Sequence, residues 1–269
     1  MANELKTLRW ILFSGCFCIL IFKSIKLYER TKEIPFNETP DTKWTILVTV
    51  NDGYFDFFQN WLHFYRKLHL TYSVIAIAED DTVLFKLQQL GGNLLTLVRS
   101  GRNSLSEAVM YGSKAFSELA SGRPTYILKY LQNGVNIVYA DLDAVWLRNP
   151  FPYFNGSFDM WMQSDGPKNL CTGLMAIKSN NETIRLMQNW QASLNKHLQI
   201  DQTAFNEVVK YSQVRLKILD TNLFPSGKLY FENFKDEQRS KVTIVHNNFI
   251  KGHPAKLQRF KQYKLWFSQ

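Results

Sequence analysis

Asp141 and Asp143 are the residues of this chain best placed to do chemistry. They stand one residue apart in the apolar stretch from Asn136 to Pro150. Alternate side chains of a strand point to opposite faces. Here the second acid falls where the strand is ending, so both can turn toward a common ligand. Carboxylate oxygens are hard donors suited to Mg²⁺ or Mn²⁺, and such ions usually accompany a phosphate-bearing substrate. The competing reading is a strand-end turn with two solvated acids. Val138-Tyr139-Ala140 and Val145-Trp146-Leu147 weigh against it, because they bury the strand and present the acids at its carboxyl end. That end is where open α/β sheets bind ligands.

The elements that must position these acids follow from periodicity. A strand is expected over 43–51, then a helix over 54–68 with Phe57, Phe58, Trp61, Leu62, Tyr65 and Leu68 at helical spacing. A buried strand follows over 72–78, a short helix over 82–90 broken by Gly91-Gly92, and a strand over 94–98. Ser104 and Glu107 form the pattern of a capping box, predicting a helix to about Ala120. Arg123-Pro124 opens another helix that Gly134 ends. Strands over 159–163 and 173–178 and helices over 183–197 and 201–211 complete the list, with a late strand over 241–245. Alternating strands and helices predict an α/β domain with a largely parallel sheet.

The chain has 269 residues, enough for a substantial core, with 45% hydrophobic and 14% aromatic residues. That is a globular composition rather than a disordered one. The formal net charge of +9 suits an anionic substrate, a phosphate-bearing donor or a membrane face. With no Lys/Arg-rich motif or recognised binding module, no nucleic-acid partner is expected. Residues 10–22 are uncharged and mostly apolar; with Leu8, Ile25 and Leu27 they approach the ~20 residues that span a bilayer. No small-x-small cleavage site follows, so a retained signal anchor is expected. The expected organisation is a cytoplasmic tail and anchor over 1–28, a stem over 29–42 and a folded domain over 43–269. Lys23, Lys26, Arg30 and Lys32 follow the apolar run, against Lys6 and Arg9 before it, which taken alone favours a cytoplasmic domain. Sequons at Asn37, Asn155 and Asn181 favour a lumenal one. Cys16 and Cys18 lie in the apolar run, which leaves Cys171 without a disulfide partner in the folded part; it is expected to be a small buried hydrophobe.

Five blocks in order resemble the retaining nucleotide-diphospho-sugar transferases (glycosyltransferase family 77), which include α-1,3-xylosyltransferases and galactosyltransferases. They are the stretch from Gly134 to Pro150, Cys171 to Met175, Asp201-Gln202 with Phe205-Asn206, Phe224 to Gly227, and His246-Asn247-Asn248 with Gly252 and Lys256. The resemblance implies a type-A glycosyltransferase fold and a UDP-sugar donor, with Mn²⁺ (or Mg²⁺) held by Asp141, Asp143 and His246. His246 taken by itself reads as a core or loop histidine. Gly252 and Lys256 would meet the donor diphosphate, by close backbone approach and point charge. Thr49 and Asn51 are similar in position to residues that hold the uridine, and Tyr54 would stack on the base or simply begin a helix. Arg123 would reach the phosphates or lie solvated at its helix start. Thr172 and Gly173 would line the sugar pocket. Asp201 and Gln202 are assigned to donor-sugar binding and transition-state support beside the anomeric carbon, or to a helix N-cap. The acceptor would be a glycan or glycoprotein, and the anchor implies a single-pass Golgi membrane protein with a lumenal catalytic domain.

Two alternatives differ in class. Asp141-Leu142-Asp143-Ala144-Val145 also fits the signature of haloacid-dehalogenase-like phosphatases, with Asp141 as nucleophile. That motif belongs on a first strand, whereas three strands are expected before this one. The other alternative is a membrane-anchored, catalytically inactive sugar-binding protein that keeps only the fold.

Overall fold

The computed structural model describes residues 44–91, 95–102, 106–167, 169–196 and 199–267. The expected tail, anchor and stem, and with them Lys43, Gly92 and Ser104, lie outside the described residues. No helix among the described residues is long and apolar enough to cross a membrane.

The first strand, β1 (Trp44–Val50), turns Ile46, Val48 and Val50 to one core and Leu47 to the other. Both faces are buried, as a strand covered by helices on both sides requires. Helix α1 (Phe55–Lys67) buries Phe57, Phe58, Trp61, Leu62 and Tyr65 in one apolar stripe. The chain then steps outward through β2 (Ser73–Ala78), α2 (Asp81–Leu90) and β3 (Leu95–Arg99). Helices α3 (Lys114–Ala120) and α4 (Arg123–Leu131) return it to β4 (Asn136–Ala140), on the other side of β1. After β5 (Ala144–Trp146) come β6 (Met160–Gly166), β7 (Asn169–Ile177), α5 (Asn181–Lys196), α6 (Asp201–Val208) and β8 (Leu216–Ile218). A turn of π-helix over Lys228–Asn233, α7 (Asp236–Arg239), β9 (Ile244–His246) and α8 (His253–Gln262) finish the described chain.

The described strands form a seven-stranded sheet of order β3-β2-β1-β4-β7-β6-β8 and a two-stranded sheet of β5 and β9. Pairing is parallel from β3 through β4 and between β6 and β8; β7 runs antiparallel to both β4 and β6. Strand order reverses between β1 and β4, and a crevice opens outside the carboxyl ends of strands at such a point. Thr49 and Asn51 on one side and Asp141 on the other therefore meet there. In one core Trp61 stacks on Tyr65 at 5.3 Å and meets Trp146 edge-on at 6.0 Å. In the other, Trp190 packs on Phe205 at 5.0 Å and donates its indole N–H to the Asp201 carbonyl at 2.8 Å.

Three expectations need correction. The stretch from Asn136 to Pro150 is not one strand: β4 stops at Ala140, the acids occupy a turn closed by Ala144 N–H donating to Asp141 O at 3.0 Å, and the chain resumes as β5 in the other sheet. The helix expected to run to Ala120 is confined, among the described residues, to Lys114–Ala120. Residues 106–112 instead cross the carboxyl end of β1, where Gly53 N–H donates to Ser106 O at 2.6 Å and Asn51 Nδ2 donates to Glu107 O at 2.7 Å. Those tertiary bonds outweigh the capping pattern, and α3 begins later, capped by the Ser113 hydroxyl. The strand expected over 241–245 is confined to 244–246.

Asp159 shows how the second half is held. Its carboxylate accepts from Arg215 N, Nε and Nη2 at 2.9, 2.9 and 2.7 Å and from Asn180 Nδ2 at 3.0 Å, tying β8 to the end of β7. Burial opposes its charge, but the Arg215 hydrogen bonds prevail and lower its pKa. Asp159→Ala strands these donors and is expected to cost about 2–3 kcal/mol in urea unfolding. Because the folded pKa is depressed, that stability is complete above the unfolded value of about 3.9 and is lost as pH falls through the folded value. The gap between wild type and variant should therefore close in acid; a gap that persists there would contradict the assignment.

Candidate functional site

At the reversal between β1 and β4 lies a cavity of about 670 Å³, lined among others by Asn51, Tyr54, Asp141, Asp143, Asp201 and Lys256. Two backbone links fix the acids at its floor. Asp141 N–H donates to Gly173 O at 2.8 Å, and Asn247 N–H donates to Asp143 O at 2.9 Å. The second is an extension of the β5–β9 ladder, in which Ala144 is paired with His246. A histidine more than a hundred residues downstream is thereby laid beside the two acids.

The carboxylate oxygens are partitioned. Asp141 Oδ1 accepts from Arg123 Nη2 at 2.8 Å and from the Tyr139 hydroxyl at 3.2 Å, while Oδ2 lies 3.8 Å from His246 Nε2. Asp143 Oδ2 accepts from Lys256 Nζ at 2.5 Å, while Oδ1 lies 3.4 Å from the same imidazole nitrogen. Each acid is thus held by one oxygen and turns the other toward His246, and the ligand atoms of the three residues lie within 4.8 Å of one another. Neighbouring donors on a six-coordinate ion with bonds near 2.1 Å are about 3 Å apart. A small inward movement would close this set on Mn²⁺ or Mg²⁺, and two carboxylates with one imidazole favour that class of ion over soft-ligand metals.

The electrostatics have the same sense. Burial opposes charge on Asp143, but Lys256 and His246 hold its pKa well below the usual carboxylate range. Burial also opposes charge on His246 and Lys256. Cys171 and Asp143 at the two nitrogens raise the imidazole pKa well above its ordinary value, and Asp143 raises that of Lys256. Lys256 therefore sets a positive charge beside Asp143.

A profile of the nucleotide-diphospho-sugar transferases matches residues 69–260. The chain belongs to that family. UDP-D-xylose:L-fucose alpha-1,3-D-xylosyltransferase 3 of Arabidopsis thaliana is 31% identical over 94% of this chain and 73% of its own. UDP-galactose:fucoside alpha-3-galactosyltransferase of Dictyostelium discoideum is 32% identical over 60% of this chain and 30% of its own. The solved galactosyltransferase LgtC, bound to donor and acceptor sugar analogues, aligns over 84% of this chain and 97% of its own with a TM-score of 0.53 and 11% identity, a likeness of fold. This nucleotide-diphospho-sugar transferase is therefore a glycosyltransferase, and the phosphatase reading of the acidic pair is set aside.

Most of the residues singled out from the sequence line the cavity: Thr49, Asn51, Tyr54, Arg123, Asp141, Asp143, Thr172, Asp201, Gln202, His246, Gly252 and Lys256. Several have other contacts than expected. Arg123 is not solvated. It is 7% exposed, bridges Asp141 and Asp201, donates to Thr172 Oγ1 at 3.0 Å and lies over the Tyr139 ring. Asp201 is not an N-cap; Ile200 occupies that position, and the buried Asp201 carboxylate accepts from Arg123 and from the Thr172 hydroxyl. Burial raises its pKa, and Arg123 opposes the rise. Gln202 donates to Asp165 Oδ2 at 3.0 Å. Thr49 contacts the Tyr139 hydroxyl at 3.1 Å, and Tyr54 packs on Phe57 and His253.

Two glycines have structural reasons of their own. Gly173 is not among the residues that line the cavity. A Cβ there would strike His246 Cε1 and come within 2.5 Å of Asp141 Oδ2, so the bare backbone makes room for the acid and the imidazole. Gly252 precedes α8 with φ +83, and a Cβ would meet no protein atom; its left-handed backbone is what calls for glycine. Gln163 and Asp165 were not singled out, and Asn248 was quoted only within the block that starts at His246. Gln163 carried one signal, a polar residue at the end of the apolar run Met160-Trp161-Met162.

Gly173→Ala should push Asp141 and His246 apart. Mn²⁺ affinity, measured by paramagnetic resonance titration, is expected to fall at least about tenfold with the secondary structure retained. Wild-type affinity in that variant would contradict the packing argument.

Proposed function

We propose that the enzyme transfers a sugar, xylose or galactose, from a UDP-sugar to a hydroxyl of a glycan or glycoprotein, with retention of anomeric configuration. The observation that carries this reading is the convergence of Asp141, Asp143 and His246 at the floor of a cavity at the sheet's reversal point. Relatives named for UDP-D-xylose and UDP-galactose support the choice of donor. Mn²⁺ (or Mg²⁺) bound by the three residues would neutralise charge on the diphosphate and on departing UDP.

The protein's own groups then have distinct tasks. Helix α8 starts at the cavity wall at Gly252, so its first N–H groups and Lys256 supply positive potential for the diphosphate. Thr49, Asn51 and Tyr54, on the β1 side, receive the uridine. Asp201 and Gln202 stand beside the anomeric carbon. Asp201 is anchored by Arg123 and Thr172, which favours support of positive charge at that carbon over nucleophilic attack. The bond from the anomeric carbon to UDP breaks while the acceptor oxygen bonds on the same face, and the acceptor proton passes to the departing phosphate oxygen. A second cavity of about 500 Å³ shares Asp165 and Phe249 with the first and gives the acceptor a route through Ser226 and Asn233. The same reading puts the catalytic domain in the Golgi lumen on an N-terminal anchor. The exposed sequon asparagines Asn155 and Asn181 agree with it.

Release of UDP across a panel of UDP-sugars with Mn²⁺ tests the donor; activity with UDP-xylose or UDP-galactose is expected. Asp143→Ala should lower that release by about two orders of magnitude or more, with an unchanged circular dichroism spectrum. Undiminished turnover in this variant would sink the metal assignment, and silence toward all UDP-sugars would sink the donor assignment.

A further inference from the structure

Gln163 is fully buried in the middle of β6 and is not among the residues that line the cavity. Its amide is nevertheless placed with little freedom. Nε2 donates to Pro225 O at 2.7 Å and to Phe224 O at 3.2 Å, and Oε1 lies 2.9 Å from His246 Nδ1. Rotating the amide by half a turn would set Oε1 against two carbonyl oxygens, leaving all three acceptors without a proton between them. The orientation is therefore fixed by donor and acceptor count.

We propose that Gln163 is a positioning residue for the metal site, holding the proton of neutral His246 on Nδ1 so that Nε2 presents its lone pair to the cation. The inference rests on the metal reading of Asp141, Asp143 and His246. An amide oxygen only accepts, so the nitrogen 2.9 Å from it must donate. Nε2, which faces Asp141 Oδ2 and Asp143 Oδ1, is then the nitrogen left to ligate. A metal-bound histidine is oriented in this way by the partner of its other nitrogen. Cys171 Sγ competes for Nδ1 from 3.3 Å. Donation from that thiol would move the ring proton to Nε2 and close the site to metal, and the shorter contact to a pure acceptor opposes it. The block from Phe224 to Gly227 thereby gains a physical task. Its carbonyls aim the Gln163 amide, and the amide aims the histidine.

Gln163→Met keeps the volume and removes both the donor and the acceptor. Manganese titration of the metal-free variant, followed by paramagnetic resonance of free Mn²⁺, is expected to show about 10- to 100-fold weaker binding than wild type. Equal affinity in a folded variant would overturn the proposal. A second measurement needs no variant of Gln163. In ¹⁵N-histidine-labelled wild-type protein loaded with Mg²⁺, long-range proton–nitrogen spectra should show the His246 proton on Nδ1, and Cys171→Ala should leave it there. A proton on Nε2 in either protein would overturn the proposal. Wild-type protein that takes up no Mn²⁺ would instead overturn the metal reading on which it rests.

Discussion

Asp141, Asp143 and Asp201 are three of the carboxylates that line the cavity, and each must be neutralised where it stands. An ionised carboxylate taken out of water without a partner costs several kcal/mol. Arg123 lies between Asp141 and Asp201, and Lys256 sits on Asp143. The cations arrive from the start of α4 and from α8, so charge pairing joins elements that chain connectivity leaves far apart. With Glu79 and Asp165 the lining holds five carboxylates against Arg123, Lys251 and Lys256, which leaves the pocket short of positive charge. A divalent cation would make up that shortfall where the unshared oxygens of Asp141 and Asp143 converge.

Backbone topology turns this electrostatic demand into a defined geometry. The acids leave β4 next to β1, where the order of strands reverses and a crevice opens at the carboxyl ends. Residues 106–112, which might have formed a helix on their own propensity, cross the end of β1 instead and make one wall. The short β5–β9 ladder then decides which late residue faces the acids. A shift of that register by one would put Val245 or Asn247 opposite Ala144 and point His246 away. The aromatic packing of Trp146 against Trp61 and Tyr65 holds β5 in place, so the core beneath α1 also fixes His246 beside the acids.

How much of this was legible in the sequence depends on the range of the interaction. β1, α1, β2 and β4 follow from local periodicity, because their buried faces repeat at the period of the element itself. The acidic pair was readable because two hard donors at a strand end have few other uses. His246 and Lys256 had no local signal; their assignment came from resemblance, and the structure brings them to the acids. Ser104 misled, because a capping pattern is a local preference and the bonds from Gly53 and Asn51 that outweigh it are tertiary. Arg123 was read as a solvated or phosphate-facing residue, since nothing in a sequence reports that two acids, 18 and 78 residues later, will surround it. Gly173 and Gln163 were hidden for the same reason. One acts by lacking a side chain beside Asp141 and His246, the other through hydrogen bonds to carbonyls 61 and 62 residues away.

The same partners bear on what the acids can do chemically. A carboxylate acting as a nucleophile must bring an oxygen lone pair to the reacting carbon, and strong hydrogen bonds to a guanidinium reduce its readiness to do so. Asp201 has one oxygen bound to both Arg123 and Thr172, with its backbone carbonyl fixed by Trp190, so the side chain has little room to advance. Asp141 is tied by Arg123 and Tyr139, and Asp143 by Lys256. All three are arranged to hold charge in place. A reaction that retains configuration in such a pocket is better served by groups that stabilise a cationic sugar and a departing diphosphate than by a carboxylate that must move to form a bond. The buried pairing that makes the cavity tolerable to these three acids is thus also an argument for same-face departure and attack.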